Sequence, residues 1–247
     1  MEIGILFEDE NLLVLDKPAG ITVNRSDTTR NEQTVQDWVE ERVKNQKSKV
    51  KIDQESDFYK RAGIVHRLDK ETSGILLVAK DEESFRNLQK QFKERLVKKR
   101  YLALAHGKIK VKEGEIRAPV GRLPWNRKRF GILAGGRESL TKYKVLNYLL
   151  SKKNKSDFYS LVELFPETGR THQIRVHLKY INHPIFSDSL YAGRKTARAD
   201  RNLLDRVFLH ASKISFLHPK SGKTINFESP LSPKLGSFLN ENLNICD

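Results

Sequence analysis

The nine residues His66-Arg67-Leu68-Asp69-Lys70-Glu71-Thr72-Ser73-Gly74 set a carboxylate beside an arginine and an imidazole, directly ahead of the apolar run Ile75-Leu76-Leu77-Val78-Ala79. Thr, Ser and Gly mark a turn, and the run reads as a buried strand. A carboxylate on a tight turn at the edge of a rigid sheet is well placed to act as nucleophile or base. The spacing alone fits a surface loop equally well, with Asp69 merely pairing with Arg67. Arg67 lies two residues before Asp69, so on an extended backbone both side chains share a face. Two further stretches concentrate polar chemistry: Lys98-Lys99-Arg100-Tyr101, and Glu167-Thr168-Gly169-Arg170-Thr171-His172-Gln173-Ile174-Arg175. His172 and His177 are five apart, which is not the i, i+4 spacing of metal ligands on one helix face. The lone cysteine, Cys246, is far from both histidines in sequence. No metal site and no disulfide framework are expected.

Several elements must position these groups. Leu12-Leu13-Val14-Leu15 reads as a buried strand closed by Lys17-Pro18-Ala19-Gly20, with Lys17 structural by default. Thr34 starts a helix, with Asp37 in a capping-box arrangement, running to about Lys47, and residues 48–60 read as polar loop. Gly74 to Lys80 is the strand after the motif. Asp81 caps a helix whose Phe85, Leu88, Phe92 and Leu96 form one apolar stripe. Tyr101 to Ala105 is a strand, in which Tyr101 alone reads as well as a core aromatic as a site residue. Leu140–Leu150 and Phe158–Leu164 form a hairpin around Asn154. Thr171 caps a helix that buries Ile174, Leu178 and Ile181 and ends before Pro184. Phe208–Phe216 and Lys223–Phe227 are strands flanking Gly222, and Ser232-Pro233 opens a last helix. With strands outnumbering helices and several hairpin-linked, the expected class is α+β with a mostly antiparallel, extended mixed sheet flanked by helices.

Lys and Arg number 46 against 31 Asp and Glu among 247 residues, a net charge of +15. Such an excess points to a polyanionic partner, nucleic acid first and an anionic membrane surface second. Basic residues interleave with aromatics in two stretches. Arg122, Arg127, Lys128, Arg129 and Arg137 surround Trp125 and Phe130, while Arg194, Lys195, Arg198, Arg201 and Arg206 follow the Asp188–Gly193 segment. Phosphate attraction and base stacking can act together on such a surface, although each residue singly fits a solvated loop. The opening residues lack the basic region and apolar core of a signal peptide. No apolar run approaches the roughly 20 residues of a membrane span. A cytoplasmic monomer without membrane contact is expected.

Four stretches in order resemble the motifs of the RluA-type pseudouridine synthases: Phe7 to Gly20, His66 to Lys80, Lys99-Arg100-Tyr101-Leu102-Ala103-Leu104, and Glu167 to Leu178. With Gly121-Arg122-Leu123-Pro124, the resemblance covers roughly residues 5 to 230. It implies one catalytic domain over 1–247, lacking the family's frequent N-terminal ribosomal-protein-like module. The implied activity is isomerisation of uridines in structured RNA, ribosomal or transfer, without metal or cofactor. The glycosidic bond breaks, the uracil turns, and it rejoins the sugar through a ring carbon. Asp69 is then the catalytic nucleophile or base, and Tyr101 lies beside the uracil. Arg175 is the arginine that pairs with Asp69, with Arg170 the competing candidate. In the first turn of a helix that cation is unfavourable, so a nearby carboxylate or phosphate should compensate. Arg67 enters the RNA stack where the base leaves, a step costing a few kcal/mol, and His66, Arg170, His172, Arg122, Arg127, Lys128 and Arg129 contact RNA. His183 and Ser187 stand where the family commonly has Gly, which puts their local turns in question. Two rivals differ in chemistry. A silent RNA-binding protein would have no need of Asp69, and a glycosidic hydrolase would normally use two carboxylates.

Overall fold

The computed structural model describes residues 2–26, 29, 32–44 and 55–246. These fall into two compact units. The first holds the described residues up to Lys98 together with Lys213–Pro230, and the second Lys99–Ser212 with the described residues from Leu231 onward. The chain runs through β1 (Gly4–Glu8), β2 (Leu12–Lys17), α1 (Val35–Lys44), α2 (Asp57–Lys60), β3 (Ser73–Ala79) and α3 (Glu82–Lys93). The middle segment carries β4 (Lys98–His106), β5 (Glu113–Arg117), β6 (Val120–Arg122), β7 (Phe130–Ile132), β8 (Leu140–Ser151), β9 (Phe158–Pro166), α4 (Gln173–Tyr180) and α5 (Arg194–Arg201). It closes with β10 (Leu209–Leu217), β11 (Thr224–Glu228), α6 (Pro233–Asn242) and β12 (Leu243–Cys246). The class is α+β. The pairs β1–β2, β2–β3, β10–β11, β4–β9, β5–β8, β8–β9 and β8–β12 are all antiparallel.

In the first unit the strand order is β1-β2-β3-β10, with β11 on β10. Leu12 to Leu15 and all of β3 are buried, and such unbroken apolar runs arise in strands covered on both faces. Phe85 and Leu88 of α3 pack on Leu12, Val14, Ile75 and Leu77. The cap of α3 is Asp81, whose carboxylate accepts the Ser84 N–H at 2.8 Å. Leu96 lies beyond this helix and is exposed, so the expected stripe ends at Phe92. The capping box of α1 is formed: Thr34 N–H donates to Asp37 Oδ2 at 2.7 Å, and Asp37 N–H to Thr34 Oγ1 at 3.2 Å. The expected extension to Lys47 lies outside the described residues. Part of the segment read as polar loop is the short helix α2, capped by Ser56.

In the second unit β8 and β9 form the expected hairpin, with a register shift between Val145 and Asn147. Tyr101 faces Leu164 across β4–β9. Strands β6 and β7 pair as a separate two-stranded sheet, and the basic residues 127–129 lie between them. Thr171 does not cap α4. His172 does, at φ +57 and without a side-chain cap bond. Arg194–Arg201, expected only as a basic stretch, is helix α5.

Candidate active site

In the first unit, Asp69 heads a turn closed by the Thr72 N–H donating to the Asp69 carbonyl at 3.1 Å. Leu68 is buried in the core, while Asp69 is half-buried and Arg67 exposed. Below the turn sits Lys17, fully buried. Its ammonium donates to the carbonyls of Pro18 (2.8 Å), Ile21 (2.8 Å) and Lys70 (3.2 Å). The Gly20 N–H also reaches the Lys70 carbonyl at 2.8 Å, from a backbone at φ +90 that glycine adopts readily. A buried cation is tolerable only when its hydrogens are met. Here that requirement ties the Lys-Pro-Ala-Gly loop to the residue next to Asp69. His66 serves the same frame: its Nε2 accepts the Leu77 N–H at 3.0 Å, and its ring packs 4.9 Å from Phe92.

In the second unit, Tyr101 is half-buried against the core. Two residues earlier, Lys99 donates to the Thr168 carbonyl at 3.4 Å, and burial pushes its ammonium down to about 8. Arg100 pairs with Glu163 at 2.8 Å. The Thr168–Arg170 loop is held by Gln173. Its Oε1 accepts from Thr168 Oγ1 (2.7 Å) and Arg170 N (3.0 Å), and its Nε2 donates to the Leu140 carbonyl and Thr141 Oγ1 (both 3.0 Å). Arg170 itself reaches the Glu138 carbonyl at 3.4 Å.

Arg175 is buried and bidentate on Asp188, Nε to Oδ2 at 2.7 Å and Nη2 to Oδ1 at 2.8 Å, with side chains only 6% and 0% exposed. This carboxylate offsets the unfavourable position of a cation in the first turn of α4. Asp188 Oδ1 also accepts the N–H groups of Leu190 (3.0 Å) and Tyr191 (3.2 Å). The Arg175 guanidinium lies 5.1 Å over the Tyr191 ring. Tyr191 Oη meets His172 Nδ1 at 2.8 Å and accepts the Phe130 N–H at 3.0 Å. Arg129 stacks on the same ring and donates to the Leu190 carbonyl. Three expected residues, Arg129, His172 and Arg175, thus converge on Tyr191, while Arg170 stands apart. Asp188 and Tyr191 were not expected as partners, and the only sequence signal was the uncompensated cation of the first turn. Ser187 occupies its turn at φ +61, held by its N–H on Asp200 Oδ2 at 2.9 Å.

His177 is buried between Thr141 Oγ1 (2.9 Å) and the Ala118 carbonyl (3.1 Å), and burial lowers its pKa, favouring the neutral ring. Arg122 donates to the Arg127 carbonyl at 2.9 Å and lies 5.1 Å over Phe130. Arg127, Lys128 and Trp125 are exposed. Among the described residues no cluster of three His, Cys, Asp or Glu is arranged to hold a metal ion.

The family model for RNA pseudouridylate synthases matches residues 11–180. An uncharacterised RNA pseudouridine synthase of Mycoplasma genitalium is 36% identical over all of this chain and 73% of its own length. Ribosomal large subunit pseudouridine synthase D of Nitrosomonas europaea is 39% identical over 95% of this chain, which spans only 64% of that protein. Among solved structures, human RNA pseudouridylate synthase domain containing 1 superposes with a TM-score of 0.72 at 27% identity, over 99% of this chain and 89% of that one. The match to residues 11–180 takes in the Asp69 turn, Tyr101 and Arg175 together, and the chain belongs to the RNA pseudouridylate synthase family.

Proposed function

We propose that the protein isomerises uridines of ribosomal RNA to pseudouridine, with Asp69 as the catalytic carboxylate. The observation that carries this is the Asp69 turn itself, a half-buried carboxylate on a backbone pinned through the fully buried Lys17. Rigid presentation of one carboxylate is what attack at the sugar, or proton removal from it, requires. The reading gives the base to Tyr101, whose ring can stack on uracil and whose hydroxyl can assist proton transfer at the ring carbon. Arg175, held by Asp188, belongs to the catalytic set in this reading. Arg67, His66, Arg170, His172, Arg122, Arg127, Lys128 and Arg129 serve the RNA. Ribosomal RNA is favoured over transfer RNA because relatives such as the Nitrosomonas protein bear large-subunit names. We take the protein to work as a cytoplasmic monomer; no helix among the described residues is long and apolar enough to cross a membrane.

The test is release of the uracil C5 hydrogen from an unmodified large-subunit RNA transcript, with transfer RNA in parallel. Asp69→Asn keeps the shape of the side chain and removes its charge and nucleophilicity, so conversion should be abolished with RNA affinity nearly retained. Residual activity within tenfold of wild type, a barrier change of only about 1.4 kcal/mol, would remove Asp69 from catalysis. Wild-type conversion of transfer RNA alone would overturn the substrate, and release of free uracil would overturn the reaction.

A further inference from the structure

A cavity of about 350 Å³ in the second unit is lined by four arginines, Arg129, Arg194, Arg198 and Arg201, with no carboxylate and no aromatic ring among its lining residues. Three of the four come from α5 at i, i+4 and i+7, one stripe of the helix. Like charges at this spacing repel and weaken a helix. Arg198 and Arg201 lie in the last turn, where the helix dipole favours a cation, and Arg201 donates to the Asp205 carbonyl. Arg194 has no such help, since the cap is Gly193 without a side-chain bond and the first turn carries no acid. Asp200, the one carboxylate of α5, is buried and engaged by His106 Nε2 at 2.8 Å and by the Ser187 N–H. The fourth arginine arrives from a different element. Arg129 is fixed by the Leu190 carbonyl and the Tyr191 ring, and its Nε is buried with no acceptor among the described residues. An arginine kept in a first turn against the helix dipole, with a like charge one turn on, breaks a local rule and is commonly answering a functional demand.

From this we infer that the cavity binds a phosphodiester of the RNA backbone, as an anchoring point separate from the exposed Arg127–Lys128 turn. Guanidinium forks match phosphate oxygens in geometry and charge. The lining offers no ring on which a base could stack, so the backbone rather than a nucleobase fits it. Such a contact carries no sequence information and sets the register of the RNA on the protein. The inference rests on the reading of this chain as an enzyme of RNA.

The test measures binding of a synthetic RNA hairpin with single-stranded flanks as a function of salt. The Arg194→Gln/Arg198→Gln protein should bind more weakly, with a log–log salt slope lower by about 1 unit, the value of one lost phosphate contact. Arg194→Lys/Arg198→Lys should restore the slope, which separates lost charge from lost folding. Without RNA, the Gln protein should melt no lower than wild type, because like charges have been removed from one helix face. A slope unchanged in the Gln variant overturns the assignment. So does loss of binding to a polyglutamate peptide with the RNA slope intact, which would make the cavity a protein-docking site. If wild type binds the hairpin and converts uridine while the variants keep its slope, only the cavity fails. If wild type binds no RNA, the functional reading fails with it.

Discussion

Lys17 and Lys99 show how differently two half-hidden or hidden ammonium groups can be used. Lys17 is fully buried, yet meets carbonyls of Pro18, Ile21 and Lys70, so its charge is dispersed into the backbone that carries Asp69. Lys99 reaches one carbonyl at 3.4 Å, and burial lowers its pKa to about 8. Between about 8 and the ordinary 10.5, the unfolded chain therefore binds more protons at Lys99 than the folded one. Stability from this group rises with pH across that window, and below it the charged form is a cost. Lys99→Met should accordingly melt above wild type at pH 7, with the difference shrinking as pH climbs from 8 towards 10.5. Melting curves at several pH values would check it, and a difference independent of pH would show that Lys99 is not desolvated. Legibility at this scale was uneven. The motif around Asp69 stood out by residue type alone. Asp188 did not, because it meets Arg175 across a turn that depends on Ser187 adopting φ +61.

Within the second unit, helix α4 and the turn after it are fixed by several side-chain bonds. Its cap residue His172 is left-handed, its Gln173 amide satisfies the preceding loop, and its Arg175 is closed by Asp188. Replacing Asp188 takes from Arg175 its bidentate partner, and breaking a buried pair typically costs about 3–5 kcal/mol. Asp188→Asn should lose stability of that order in urea unfolding, and adding Arg175→Met should recover much of it. A loss below about 1 kcal/mol would mean that the Arg175 charge is met chiefly by other groups. The sequence pattern found the long strands and α3, because their apolar runs and stripes are unambiguous. It missed α5, whose arginines leave no apolar stripe. It also missed β6 and β7, three residues each with Gly at the centre. Thr171 was the expected cap of α4, but the helix is capped one residue later by His172, whose left-handed backbone the sequence pattern does not announce.

Taken whole, the chain carries +15, and the RNA binding proposed for it should weaken steeply with salt as bound counterions are released. The exposed pair Arg127 and Lys128 belongs to that diffuse field, unlike Arg129, which is built into the Tyr191 cluster. Replacing both by Gln should lower the salt slope by about 1 to 2 units with an unchanged melting temperature. An unchanged slope would return this turn to ordinary solvated surface. The α+β class and the antiparallel pairing were legible from hairpin-linked strands. The division into two units was not, because it follows from contacts between segments far apart in the chain, with no Pro- or Gly-rich linker to announce it.

That division has a consequence for how the protein is made. Strand β3, apolar throughout, is followed in the strand order by β10, and the part of β10 assigned to the first unit begins at Lys213. During synthesis at about 5–20 residues per second, β3 therefore emerges on the order of ten seconds before its neighbour. Over that interval the nascent chain presents an apolar strand edge of the kind that seeds aggregation. The N-terminal part of the protein, though translated first, completes its fold after the middle of the chain has had time to form, and a nascent chain stalled before Lys213 would be a natural client for holdase chaperones.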